Sequence, residues 1–401
     1  MQSSTALKAI AVIAVIMCLS AFALMTYRSG GAALIWQLGD DDPVLKFFPA
    51  NNSLYVIGAS NISLVNSTGS AIWTKPFANT QYSETGDNGE LYAYSRDQGL
   101  VIFYPDGTEK PVIKTDMTGD PVIGTDGTLY LRSWGMMSAV SQSGDELWNV
   151  PGVISDPVTD LEGYVYYFQR PPEHLSEVYL YCKSPDSMSV WSALFEKYYS
   201  NTVIMSAGHD GIYVYNDISG EIYRIDHSGN LKWQYYKPYL GQYRLLVDDE
   251  DRLYLLYLRG TVHVLDKDGN LVSKFNHDAV TGSNTTHQPA INNDTIYMIG
   301  EAIPEDTAVL YALNMDGSGK WKTQINCTGP AKVYAEGSVI CVTTEIKKNN
   351  QVLPVIYVID EDGDLKYTYH SEDGRAWEQV YIKGNMIYAK TYGGKLYALK
   401  G

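Results

Sequence analysis

Seven histidines stand at positions 174, 209, 227, 263, 277, 287 and 370, and no two have the HxxxH spacing that sets a pair of imidazoles on one helix face. Metal or triad chemistry through them needs convergence in space that this spacing does not supply. The densest carboxylates form three turns: Asp248-Asp249-Glu250-Asp251, Asp266-Lys267-Asp268-Gly269 and Asp360-Glu361-Asp362-Gly363-Asp364. Calcium takes six or more oxygens, and an EF-hand loop ends on a bidentate glutamate after its glycine. None of the three turns continues that way, so they read as solvated β-turns. Outside the N-terminal apolar run the cysteines are Cys182, Cys327 and Cys341, with no CxxC pair and no even framework. No GxSxG, P-loop or GxGxxG follows a strand and opens a helix. The arginines Arg132, Arg224, Arg244 and Arg259 could bind an anionic cofactor only by converging from separate parts of the chain. No catalytic, cofactor-binding or metal-ligating residue is therefore expected.

Tyrosine is the remaining chemistry, with 33 copies. Clusters occur at Tyr164–Phe168, Tyr198-Tyr199, Tyr235-Tyr236 and Tyr239. Aromatic rings give large contact area at low entropic cost. Tyr235, Tyr236 and Tyr239, beside Pro238 in a connecting segment, are the candidate ligand face. The other tyrosines fall at regular intervals and read as sheet packing.

The elements that hold these residues repeat. An apolar residue followed by Tyr recurs at Leu54-Tyr55, Leu91-Tyr92, Leu129-Tyr130, Val165-Tyr166, Ile212-Tyr213, Leu253-Tyr254, Ile296-Tyr297 and Ile387-Tyr388, with Val339-Ile340 as a variant, in steps of 36–48 residues. A turn rich in Gly, Asn and Asp precedes most of them, as suits tight hairpins. A second strand and a second turn follow, as in TVHVLDKDG and VIYVIDEDG. An aromatic residue often stands four places after the turn glycine: Gly69 leads to Trp73, Gly144 to Trp148, Gly229 to Trp233, Gly317 to Trp321 and Gly363 to Tyr367. Each unit reads as four short antiparallel strands in about 40 residues, which points to a β-propeller. The last unit stops at KLYALKG without a fourth strand, and Leu34-Ile35-Trp36-Gln37-Leu38 has the pattern of the missing one. Pairing the two ends closes the ring and covers both open edges. The fold class is all-β: a propeller of about nine four-stranded repeats over residues 34–401, with eight as the alternative.

Ahead of the ring, residues 9–27 are uncharged between Lys8 and Arg28. As a helix at ~1.5 Å per residue they reach ~28 Å, enough for the ~30 Å bilayer core. The expectation is one N-terminal hydrophobic helix in residues 1–28, a linker at 29–33, and a single-pass membrane tether through residues 9–27. A secretory signal cleaved after Ala21-Phe22-Ala23 is the alternative, and yields a secreted protein. Both place the propeller on the extracytoplasmic side of the cell membrane. Six Asn-x-Ser/Thr sequons, at Asn51, Asn61, Asn66, Asn284, Asn293 and Asn326, suit an exported and glycosylated surface. The formal charge is −16, and −18 beyond Arg28, which excludes a nucleic-acid partner that needs clustered Lys and Arg.

The phrase LYALxxxGxxxW, carried by Leu310-Tyr311-Ala312-Leu313, Gly317 and Trp321 and again by Leu396-Tyr397-Ala398-Leu399, resembles the repeat of PQQ-like β-propellers. The resemblance spans roughly residues 34–401 and implies that Trp73, Trp148, Trp233 and Trp321, with Trp36 at the closure, dock neighbouring blades. Eight blades are usual in that family. It includes quinoprotein dehydrogenases, which resemble one another in an adjacent Cys-Cys pair that this sequence lacks, and the propeller lipoprotein of the outer-membrane β-barrel assembly machinery. The resemblance therefore implies no bound cofactor and no enzyme, but a scaffold for an envelope protein partner or a surface glycan. An envelope redox enzyme or ligand-binding protein using the central funnel is the alternative, and a secreted surface-layer component a third.

Overall fold

The computed structural model describes residues 34–401, apart from 185–187, 197–202, 217–219, 237–242, 249, 258–260, 277–288 and 302–305. The N-terminal apolar run, Asn284, Tyr239 and Arg259 lie outside the described residues. Among those described, the chain forms nine four-stranded sheets. Eight are built in chain order, with blades 1 to 8 spanning 44–76, 82–113, 122–151, 158–196, 203–236, 243–276, 290–326 and 332–370. The ninth takes three strands from 377–400 and its outermost from Leu34–Leu38. The four strands of a blade are called a to d from the axis outwards.

The count is nine because the unequal repeat lengths come from long hairpins rather than a missing blade. In blade 8, Val339–Lys348 and Gln351–Ile359 pair over their whole length. The second strands are buried almost throughout, as in Leu91–Ser95, Val165–Gln169 and Gly211–Asn216. Neighbouring blades cover both their faces, so these strands read as continuous apolar runs rather than alternating ones. The outermost strands alternate exposed and half-buried, as in Ala71–Pro76 and Leu231–Tyr236. The core lies between blades. Tyr55, Ile57, Ile62 and Leu64 of blade 1 pack against Leu91, Ala93, Val101 and Phe103 of blade 2.

Closure joins the two ends of the chain. Trp36 lies opposite Ala398, Gln37 opposite Tyr397 and Leu38 opposite Leu396, after a bulge at Leu34. Lys395 pairs with Asp40. Between blades 9 and 1, the Gln379 side chain donates through Nε2 to the Phe47 carbonyl at 2.9 Å and accepts from the Phe47 N–H at 3.4 Å. One amide thus satisfies both backbone groups of an innermost strand where no strand partner stands.

Candidate functional site

Antiparallel order puts every a–b turn and every c–d turn on one face of the ring. At that face five of the blades reach a neighbour through one repeated device. A Trp on strand d donates its Nε1–H to a carbonyl in the c–d turn of the next blade, and its ring covers the glycine of that turn. Trp36 donates to Ser67 O (2.9 Å), Trp73 to Pro105 O (3.2 Å), Trp191 to His227 O (2.8 Å), Trp233 to Lys267 O (2.8 Å) and Trp321 to Glu361 O (2.6 Å). The covered glycines are Gly69, Gly107, Gly229, Gly269 and Gly363, all at positive φ. At Gly269 (φ +82°) a Cβ would stand 2.6 Å from Trp233 Cγ, so glycine is needed both for the turn and for the ring above it.

Other junctions depart from the device. Trp148 of blade 3 meets Lys183 of blade 4, whose Nζ lies 4.6 Å from the ring centroid. Between blades 2 and 3 the Val112 carbonyl takes the position over Gly144. Tyr367 reaches the Lys400 carbonyl of blade 9. Trp191 is a docking residue that the glycine-plus-four spacing misses, because the turn before it, SPDSM, has no glycine.

The second position of several c–d turns enters the neighbouring blade as well. In blade 4, Asp160 is buried and accepts four hydrogen bonds: from the N–H of Glu162 (3.1 Å) and of Tyr164 (2.9 Å), from the Tyr166 hydroxyl (2.9 Å), and from His227 Nε2 of blade 5 (2.7 Å). The His227 ring stacks on Tyr164, with centroids 4.2 Å apart. At the corresponding place in blade 3, Gln142 donates to the Tyr92 hydroxyl of blade 2 at 2.9 Å. In blade 7, Met315 Sδ stands 3.4 Å from the Tyr254 hydroxyl of blade 6. His227 is thus a variant of a joining position. Burial raises the Tyr130 and Tyr213 hydroxyls to about 12, which keeps them neutral. For Tyr213 the nearby Arg224 works against that shift and Asp251 with it. Burial also drives the Cys182 thiol up to about 12, opposed by its bond to Tyr166 and reinforced by Asp160, and leaves it a poor nucleophile.

Of the four arginines, the two whose side chains are described each pair across a junction. Arg132 pairs with Asp156 at 2.8 Å between blades 3 and 4. Arg224 is buried, lies over the Tyr213 ring at 4.6 Å and faces Asp251 of blade 6 at 3.5 Å. Nothing is described of the Arg244 side chain. The acidic turns hold themselves together: Asp266 accepts from the N–H groups of Asp268 (3.0 Å) and Asn270 (2.8 Å), and Asp360 from those of Asp362 (3.2 Å) and Asp364 (2.9 Å). Among the described residues no three His, Cys, Asp or Glu side chains form a metal-holding group.

Tyr235 and Tyr236 face opposite ways, as neighbours on a strand must. The Tyr235 hydroxyl shares a 3.0 Å hydrogen bond with His263 Nδ1 of blade 6, while Tyr236 is 63 % exposed. Of the sequons, Asn51, Asn66 and Asn293 lie on the turn face, and Asn61 and Asn326 at the opposite end of their strands. Asn61 is tied to Asp42 and Ser60, and Asn66 Oδ1 accepts from the N–H groups of Thr68 and Ser70. An open cleft of about 260 Å³ lies between blades 7 and 8, lined by Asn292, Asn293, Tyr297, Lys320, Trp321 and Glu361 among others. Its polar groups bind one another: Lys320 Nζ donates to Thr295 Oγ1 (2.6 Å), and Asn292 Nδ2 to Gly337 O (2.8 Å).

Residues 258–401 match the family model of the outer membrane protein assembly factor BamB. The repeats of that stretch resemble the PQQ-like repeat of the BamB type. BamB from Moraxella catarrhalis superposes with a TM-score of 0.50 at 13 % identity, over 92 % of this chain and 99 % of that one. A eukaryotic initiation factor structure gives a TM-score of 0.63 at 12 % identity, over 82 % and 88 %. The computationally designed Ika8 protein gives 0.54 at 11 %, over 92 % and 100 %. These likenesses are of fold alone. No curated protein sequence matches the chain. The match over 258–401 covers the repeats in which LYAL and the turn glycine are best preserved, whereas the ring itself runs through all nine blades.

Proposed function

We propose that the chain is a membrane-tethered extracytoplasmic propeller that serves as a protein-binding or assembly scaffold and carries out no reaction of its own. One observation carries this reading: among the described residues, the clusters that bring His, Arg and Asp side chains together at the turn face are occupied in joining blades. His227 and Asp160 hold the junction of blades 4 and 5, Arg224, Tyr213 and Asp251 that of blades 5 and 6, and Arg132 and Asp156 that of blades 3 and 4. What remains for a partner is the rim of turns and the outer strands. The name of the matched family, an assembly factor, supports the same reading. The tether rests on residues 9–27 and their fit to a bilayer. The ring meets residues 1–33 on the turn face, because Leu34 begins strand d at that end. A tether would therefore leave the opposite face, with its b–c and d–a loops, turned from the bilayer.

Crosslinking on intact cells, followed by identification of captured proteins, tests the scaffold. Native protein should also bind no pyrroloquinoline quinone in the presence of calcium. Stoichiometric quinone retention with dye reduction from an alcohol or sugar overturns the reading in favour of a funnel enzyme.

A further inference from the structure

A propeller exposes the outer edge of every strand d, and an open edge is a template for another strand. Lysine and proline on the edge strand guard against this, because a charge or a missing N–H spoils pairing. Seven of the nine outer strands here carry one or the other. Examples are Lys75 and Pro76 in blade 1, Lys232 in blade 5, and Lys320 and Lys322 in blade 7. The two without are Leu34–Leu38, only five residues long, and Ser189–Glu196 of blade 4, with eight.

The blade 4 strand is as open to solvent as the other outer strands, where Ile72, Leu147 and Leu231 are exposed as well. Ser189, Val190, Ser192, Ala193 and Leu194 are all exposed, with Val190 at 43 % and Leu194 at 51 %. Its inner edge is paired to Val178–Lys183, and among the described residues no strand pairs its outer edge. We propose that Ser189–Glu196 is a strand-addition site for an extended segment of a partner protein, one with apolar side chains at alternate positions and no lysine or proline in the paired stretch. The proposal rests on the scaffold reading and gives it a surface.

Backbone complementarity and size select this occupant. Between register shifts that skip Val190 and Phe195, the strand runs regularly over Trp191–Leu194, where every second residue turns its N–H and C=O outwards, a short ladder that only another backbone satisfies. Val190, Ser192 and Leu194 lie on one face at a period of two, so a matching strand sets its own apolar residues beside them. A second copy of the chain paired through this strand alone covers roughly 25 Å by 10 Å on each partner, or about 500 Å² in total, against the ~1,000 Å² expected of a stable interface. A flexible segment needs no such area, because it folds onto the edge alone.

The test uses the full chain in detergent micelles and a labelled, end-blocked octapeptide of alternating Thr and Val, read by fluorescence anisotropy. Val190→Lys with Ser192→Lys restores lysines beside the docking Trp, as Lys320 and Lys322 flank Trp321. Leu194→Lys is a second variant should the pair perturb folding, and Ile72→Lys on blade 1 is the positional control. Expected results are saturable binding to the parent and to Ile72→Lys, and at least tenfold weaker binding to both blade 4 variants. The same peptide N-methylated at alternate residues should bind at least tenfold more weakly to the parent. No binding at millimolar peptide, equal binding to the blade 4 variants, or equal binding of the methylated peptide overturns the proposal. Crosslinking separates the two failures. Partners still captured by the blade 4 variants retire the edge and keep the scaffold, whereas no partner captured by the parent retires the scaffold itself.

Discussion

If the ring is held by tryptophans seated on the glycines of neighbouring turns, a single methyl group placed under one of them should cost more than the same methyl elsewhere. Gly363 and Gly384 make the comparison. Both have positive φ, +88° and +56°. At Gly384 nothing lies within 4 Å of a built Cβ, so alanine there adds only backbone strain, about 1–2 kcal/mol. At Gly363 the Cβ would stand 2.7 Å from Trp321 Cδ2, 2.8 Å from Cε3 and 3.1 Å from Thr323 Oγ1. The indole must withdraw. That loses its 2.6 Å bond to the Glu361 carbonyl, about 1 kcal/mol net, and uncovers roughly 50–80 Å² of ring, about 1–2 kcal/mol more. Gly363→Ala should therefore destabilise by about 3–5 kcal/mol, against 1–2 for Gly384→Ala.

Urea unfolding of the full chain followed by circular dichroism reads both variants. In a Trp321→Ala background the added methyl has room, and Gly363→Ala should fall back to the strain alone, a coupling of about 2 kcal/mol in the double-mutant cycle. Equal costs at Gly363 and Gly384, or strict additivity with Trp321→Ala, would falsify the docking argument and make the glycine a requirement of its turn only.

Two further outcomes follow from the same geometry. Deleting Leu34–Leu38 removes Trp36 from Gly69 and leaves Leu396–Lys400 as an unpaired edge, so the thermal midpoint should drop and aggregation rise; a deletion that melts like the parent shows the segment to be a linker. The Thr108 hydroxyl and N–H hold Asp106 below the usual carboxylate range, and Ser318 does the same for Asp316. Groups with depressed folded values stabilise above the unfolded value of about 3.9 and lose that contribution as pH falls through the folded one, so the midpoint should be level from pH 7 to 5 and fall below about 4; a midpoint that rises on acidification contradicts this.

The fold was legible because its signals are local and repeated. An apolar-Tyr pair on strand b, a Gly-bearing turn and an aromatic four places later recur often enough to give nine units, and Leu34–Leu38 shows the pattern that the last unit lacks. Legibility ended where a partner lies in the next blade. The Gly229-to-Trp233 spacing is visible in the sequence, yet Gly229 sits under Trp191, while Trp233 sits over Gly269. Trp191 has no glycine in its own turn and so gives no signal, although its role is the same. His227 looks like a stray turn histidine until Asp160 is seen 2.7 Å away, 67 positions earlier in the chain. Tyr235 and Tyr236 look like one aromatic face, but strand geometry turns one into the junction and the other to solvent.

This pattern bears on where function resides. Several junctions draw a polar side chain from a turn and its seat from a neighbouring blade, so His227, Asp160 and Asp251 on the turn face are used in pairs and satisfied there. A change at His227 or Asp251 is then expected to act through the joint before it acts on any ligand. Apart from the docking Trp, the outer strands have no such task. Their backbone is paired on one edge only, and Lys75, Lys232, Lys274 and Lys366 stand where a charge hinders stray pairing. Where that guard is missing over eight residues, as in Ser189–Glu196, junction stability gives no reason for the difference, because Trp191 on the same strand docks as its counterparts do. The difference lies in what the edge is free to meet.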